Sequence, residues 1–191
     1  MYRWLRNTHL FLGLFSFLFL LMYGVSSVQM THNSWFNSKP SVSESTIPVP
    51  GEQAHDARAV ARFLMDRRGV RGEIQQAQET ENGFRFRVMR PGTVYEVAYA
   101  RSTGEAKVRT NVANFIGMLN RLHHVGGLWH DFTLTNIMGF FVGLVSAALV
   151  GLGLTGIYLW FKIHKERKIG AALLALSLGY SLTLMVLMRI A

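Results

Sequence analysis

The chain has 191 residues, half of them apolar, with 13 Phe and 4 Trp, which is too apolar for an ordinary soluble domain and is expected of a membrane protein. Its formal charge is +9, but Lys and Arg are divided among several segments with no basic run inside a binding motif, which argues against nucleic acid as a partner. The lack of cysteine excludes disulfides, thiolate metal sites, iron–sulfur clusters and covalently attached c-type haem, leaving His, carboxylates and Met as ligands.

In chain order, residues 1–32 hold the first apolar stretch, "THLFLGLFSFLFLLMYGVSSVQM" at 8–30, uncharged and longer than the roughly 20 residues a bilayer crossing needs. Arg3 and Arg6 before it, and Gly24, Ser26 and Ser27 near its end, are also what a signal peptide carries. Its length exceeds the roughly 7 to 15 residues of a signal core and no A-x-A site follows, so an uncleaved helix is expected. Residues 33–51, "NSWFNSKPSVSESTIPVPG", hold three of the four prolines and many serines and predict an extended, mobile linker.

Residues 52–128 predict a small α+β domain. Ala54, Ala57, Val60, Ala61, Leu64 and Met65 fall at helical spacing that ends at Gly69. "GEIQQAQE", "GFRFRVMR" and "TVYEVAYA" follow with turn signals between them, and the last two alternate apolar and polar residues as half-buried strands do. "STGEAKVRT" adds a turn and a further strand, and "NVANFIGMLNRLHH" returns to helical spacing, with Phe115, Leu119 and Leu122 on one face. The expected order is helix, three or four antiparallel strands, helix.

Residues 129–168 comprise a second span at 134–161 and the basic loop "KIHKERK", and residues 169–191 a third span at 169–190. The membrane part is thus expected to be α-helical with three transmembrane helices. Arg3 and Arg6 before the first span and the basic loop between the other two lie on one side, which the positive-inside rule makes cytoplasmic. The N-terminus is then inside and residues 33–131 outside, periplasmic if the membrane is a bacterial inner membrane. Gly139, Gly143, Ala147, Gly151 and Gly156 form a small-residue stripe on the second span, and Ala171, Ala175 and Gly179 a similar one on the third. Both predict close helix packing, within the chain, in a homodimer or against a membrane partner subunit.

This order of elements, set between a first helix beginning "RNTHLFLGL" and a second introduced by "LHHVGGLW" and closed by "GLTGIYLWFK", resembles the PepSY-associated transmembrane helix family. The resemblance covers about the first 165 residues and is most specific at Leu122-His123 and "LTGIYLW". Longer members have two such halves and four helices, whereas this chain is similar to one half with an extra third helix. Relatives include inner-membrane reductases for ferric siderophores that hold b-type haem between transmembrane histidines, so the resemblance implies haem b and electron transfer.

A b-type haem needs two neutral imidazoles from facing helices at similar depth. His9 begins the first helix and His164 ends the second on the same side, beside Arg3, Arg6, Lys162 and Lys165, which suit haem propionates. At about 1.5 Å per residue, His32 lies about 35 Å from His9 along the first helix, so a second haem or metal is expected to draw on His32, His123 or His124. His123 and His124 are adjacent and point apart, so at most one joins a given site. Interfacial His and Lys are equally ordinary at helix ends, and Gly126-Gly127 equally a plain hinge between domain and membrane. Zinc on His130 and Asp131 matches no standard spacing.

No nucleophile elbow, H-E-x-x-H, P-loop or G-x-G-x-x-G occurs. Arg85, Arg87, Arg90, Arg101 and Arg109 cluster in the strand region, where they would attract an anionic ligand such as a ferric siderophore, or an acidic partner. Two functions are left: a haem protein passing electrons to iron outside, in the manner of a ferric or siderophore reductase, or a cofactor-free accessory subunit whose outer domain binds or regulates a partner protein.

Overall fold

The computed structural model describes residues 2–163 and 167–190. Its elements are α1 (Tyr2–Thr31), β1 (Ser41–Pro48), α2 (Ala57–Arg68), β2 (Glu73–Thr80), β3 (Gly83–Arg90), β4 (Thr93–Ala100), β5 (Glu105–Val112), α3 (Phe115–His123), α4 (Thr133–Ile163) and α5 (Arg167–Ile190). Helices α1, α4 and α5 are long and apolar enough to cross a membrane. Most of their large side chains, including Phe11, Phe17, Phe140, Val150 and Leu176, point outward, as lipid-facing residues do. The chain forms two compact units, one of residues up to Phe17 with those from Val145 onward, the other Leu18–Leu144.

The second unit contains an antiparallel sheet in the order β1-β5-β4-β3-β2. Alternation in "FRFRV" sends Phe84, Phe86 and Val88 to one face and Arg85 and Arg87 to the other. Val97 and Tyr99 of β4 and Ala106 and Val108 of β5 join the apolar face, and α2 closes it with Val60, Ala61 and Leu64. Each large apolar side chain so buried stabilises the domain by roughly 1.5 to 3 kcal/mol. Helix α2 starts at Asp56, whose carboxylate accepts the Ala59 N–H at 2.7 Å and is held below the usual carboxylate range chiefly by that bond. It stops at Gly69, which takes φ 71°, a left-handed conformation that a residue with a Cβ adopts only with strain.

The structure corrects two expectations. There are five strands among the described residues, not three or four, because Ser41–Pro48 is an edge strand and not part of a free linker. It pairs with β5 from Ser41 opposite Val112 to Pro48 opposite Glu105. Its residues "SVSESTIP" leave almost nothing to bury, and only Ile47 is even partly covered, so the ladder to β5 is what orders them. On α3, Phe115 is exposed and no residue is buried, so the apolar face read from spacing does not enter a core. Asn114 starts that helix instead, accepting the Gly117 N–H and donating to the Asn37 carbonyl.

In the first unit, the end of α4 lies against the start of α1. Only part of the small-residue stripe takes part. A Cβ on Gly151 would meet Leu12 at 3.0 Å and one on Gly156 would meet the His9 ring at 3.4 Å, so these two positions permit the close approach. Gly143 faces open space and Ala147 is exposed, because a strict four-residue repeat drifts around a helix of 3.6 residues per turn. On α5, Ala171 and Ala175 are exposed and Gly179 has open space beside it among the described residues, whereas Gly170 lies under the Trp160 ring.

Candidate functional site

His9 is partly buried on α1, and its Nδ1 lies 2.9 Å from the Thr155 hydroxyl on α4. That hydroxyl is also 2.6 Å from the Gly151 carbonyl one turn earlier. A carbonyl only accepts and a hydroxyl has one hydrogen, so both contacts are satisfied when Thr155 donates to Gly151 and accepts from the His9 Nδ1–H. Reversing the His9–Thr155 bond leaves the carbonyl contact unmade. His9 therefore donates from Nδ1, and among the described residues its Nε2 has no hydrogen-bond partner.

The second unit repeats this arrangement. His123, at the end of α3, has Nδ1 at 2.7 Å from the hydroxyl of Ser26 on α1, and Ser26 lies 3.0 Å from the Tyr23 carbonyl. The same accounting makes Ser26 a donor to Tyr23 and an acceptor from the His123 Nδ1–H, leaving Nε2 open. The Tyr23 ring meets the imidazole edge-on at 4.7 Å between centroids. An orienting bond at Nδ1 with a free Nε2 is the arrangement of metal-binding histidines, in which the outer bond fixes ring and tautomer.

His130 is built differently. Its Nδ1 lies 2.9 Å from a Glu73 carboxylate oxygen and its Nε2 3.0 Å from the Gly126 carbonyl, both acceptors only. Both ring nitrogens therefore carry hydrogens, and the imidazole is a cation without a lone pair. Its pKa is raised above the ordinary histidine value, first by the bond to Gly126 and then by the one to Glu73. The backbone around it is closed by Asn136, which accepts the His130 N–H at 2.9 Å and donates to the His130 carbonyl at 2.6 Å. At Gly139 on α4 a Cβ would overlap the Gly127 carbonyl, so the turn lies directly on the start of that helix. Residues 126–130 are thus a folded turn held by its own bonds and not an open hinge.

The other predicted residues are scattered. His32 is exposed and stacks on Trp35 with centroids 4.0 Å apart and planes 8° from parallel. His124 is exposed, its ring 5.7 Å from that of His123 and tilted by 57°. Arg6 lies exposed one turn before His9. His164 lies outside the described residues, so the expected pairing of His9 with His164 falls there too. Among the described residues no three His, Asp or Glu converge as metal ligands, and zinc on His130 and Asp131 is further opposed by the occupied ring nitrogens of His130.

The arginines of the strand region are largely matched by carboxylates. Arg87 pairs with Glu96 at 3.3 Å, Arg101 with Glu79 at 2.6 Å, and Arg109 with Glu44 at 3.8 Å. This lowers the positive field expected of them. Sequence reasoning missed Thr155, Ser26 and Tyr23, although a hydroxyl inside an apolar span is itself a signal, since it needs a partner that lipid does not provide.

A sequence model of the PepSY_TM-like family matches residues 1–190. No curated protein and no solved structure matches the chain.

Proposed function

The chain belongs to the PepSY_TM-like family, and from that membership we propose that it is a membrane haem protein, in which His9 and His123 would each supply an Nε2 to a separate b-type haem. The observation that carries the reading is the hydrogen bonding of the two imidazoles, each oriented by a hydroxyl at Nδ1 and each without a hydrogen-bond partner at Nε2 among the described residues. The donor chemistry fits haem iron, and the glycines at 151 and 156 keep the surroundings of His9 small. Exposed Arg3 and Arg6 stand one to two turns from His9, within reach of carboxylates at the membrane edge. A bound haem would supply a one-electron carrier. The protein residues fix the ring planes through Thr155 and Ser26.

We place Arg3, Arg6, Lys162, Arg167 and Lys168 on the cytoplasmic side by the positive-inside rule and the sheet domain, inserted between α1 and α4, on the periplasmic side of a bacterial inner membrane. The acceptor class is ferric iron, free or held by a siderophore. Arg85 and Lys107, which among the described residues lack a carboxylate partner on the open sheet face, support an anionic chelate there.

One observation favours the alternative of an accessory subunit without a cofactor. Helix α5 is largely apolar and exposed from Ala171 to Ile190, a surface suited to a second copy or a membrane partner. Hydroxyl–imidazole bonds also join helices without any cofactor. Protein purified from haem-replete cells separates the readings. A Soret band and a reduced α-band are expected, with haem per chain lowered by His9→Ala and by His123→Ala. A colourless preparation, or full haem content in both variants, overturns the haem reading.

A further inference from the structure

Beside the His130 turn, the second unit contains a cleft of about 560 Å³ whose charges do not balance. Its two carboxylates are already matched, Glu73 by the His130 cation and Glu96 by Arg87. Arg90 and Arg121 also line it, and among the described residues neither has an ion-pair partner. The Arg90 Nε–H is buried and has no hydrogen-bond acceptor among the described residues. A guanidinium donor withdrawn from water and left unbonded is unfavourable, so a native protein is expected to provide it with an anion.

The position of the cleft narrows the anion. Thr135, in the first turn of the membrane-crossing α4, forms part of its lining, while Leu128 and Trp129, just before that helix, are exposed. An aromatic ring and an apolar side chain at the start of a span mark the headgroup level of a bilayer. Met89 and Val94 add apolar wall beside the two arginines, suited to carbon attached to the anion.

We propose that Arg90 and Arg121 form a binding site for a phosphate ester, the phosphodiester of an anionic phospholipid headgroup or a soluble phosphate ester of the same chemistry. Guanidinium is matched to this group because its fork of N–H donors meets two phosphate oxygens at once. A zwitterionic lipid carries the same phosphodiester, but its ammonium meets the uncompensated charge of the cleft unfavourably, so anionic headgroups bind preferentially.

The test uses the full chain in a non-ionic detergent, titrated with phosphatidylglycerol, phosphatidylcholine or inorganic phosphate, with bound lipid counted by native mass spectrometry and thermal stabilisation followed in parallel. The wild type is expected to retain phosphatidylglycerol over phosphatidylcholine, to lose that preference at high ionic strength, and to bind about tenfold more weakly in Arg90→Gln/Arg121→Gln. The Arg67→Gln variant on α2, outside the cleft, should bind as the wild type does. Inorganic phosphate that displaces the lipid at comparable concentration identifies a soluble ester as the source, and failure to displace it identifies the headgroup. Should the double variant unfold, Arg90→Lys with Arg121→Lys keeps the charge and still loses the two-oxygen grip, so weakened binding there supports the site. Equal binding of both lipids by the wild type, or unchanged preference in either arginine double variant, overturns the proposal.

Discussion

Two regions of the chain solve the problem of a polar side chain in opposite ways. In the sheet domain, water is within reach, so His130 is a cation clamped between a carboxylate and a carbonyl. On the apolar helices, His9 gives its Nδ1–H to the Thr155 hydroxyl, which returns its own hydrogen to the backbone. The same side chain is thus a structural charge in one setting and an open ligand in the other. The forces around them differ likewise: the domain is stabilised by burying Leu64, Val60, Phe86 and Val88, whereas helices in lipid gain nothing from apolar burial and depend on close approach and hydrogen bonds.

The largest expected effect breaks this comparison on the domain side. Leu64 is fully buried between α2 and the sheet, so Leu64→Ala should destabilise the domain by about 2 to 5 kcal/mol. Hydrogen exchange on the full chain in detergent checks it, with amides of β3 and β4 losing protection and those of α1 and α4 retaining it. Equal loss in all four elements would mean that the two regions unfold as one. A smaller effect sharpens the membrane side. Thr155→Val removes the acceptor of the His9 Nδ1–H, and a double-mutant cycle with His9→Ala should give a coupling of about 0.6 to 2 kcal/mol. In 15N-histidine spectra the wild-type His9 should show a protonated Nδ1 and an unprotonated Nε2, and Thr155→Val should mix the tautomers. A coupling of zero would remove the bond from the account of the helix pair.

Legibility in the sequence followed the same division. The three apolar spans and strands β3 and β4 were readable because lipid demands a long uncharged apolar run and a one-sided core imposes alternation. Helix α2 was readable for the same reason, though it starts after its Asp56 cap and does not include Ala54. Strand β1 was not readable, because an exposed edge strand of Ser, Thr and Glu has no buried face to impose alternation. At the candidate site, the types of His9 and His123 were visible as imidazoles near the ends of apolar segments. What could not be seen was which hydroxyl each would meet, since Ser26 and His123 are 97 positions apart and His9 and Thr155 are 146 apart. Nor could spacing distinguish His123, with one nitrogen free, from His130, with both engaged.

The smallest expected effect tests that last distinction through pH. Because the folded-state pKa of His130 is raised, its contribution is fully present below the unfolded histidine value of about 6.5. It declines as pH rises through the folded pKa, where the imidazolium loses the hydrogen that bonds either Glu73 or Gly126. The melting temperature of the full chain should therefore fall as pH rises from about 6 to 9. In His130→Gln, whose amide can donate but does not titrate, that part of the slope should vanish. His130 is only partly covered and its partner equally so, and solvent screening keeps the effect near the modest range of exposed ion pairs, well under that of Leu64→Ala. The sign is the sensitive part of the experiment: a wild-type protein that gains stability over the same interval relative to His130→Gln would require a neutral folded-state imidazole. One of its ring nitrogens would then be unbonded, as in His9 and His123, and the contrast between the two regions would fail at its central residue.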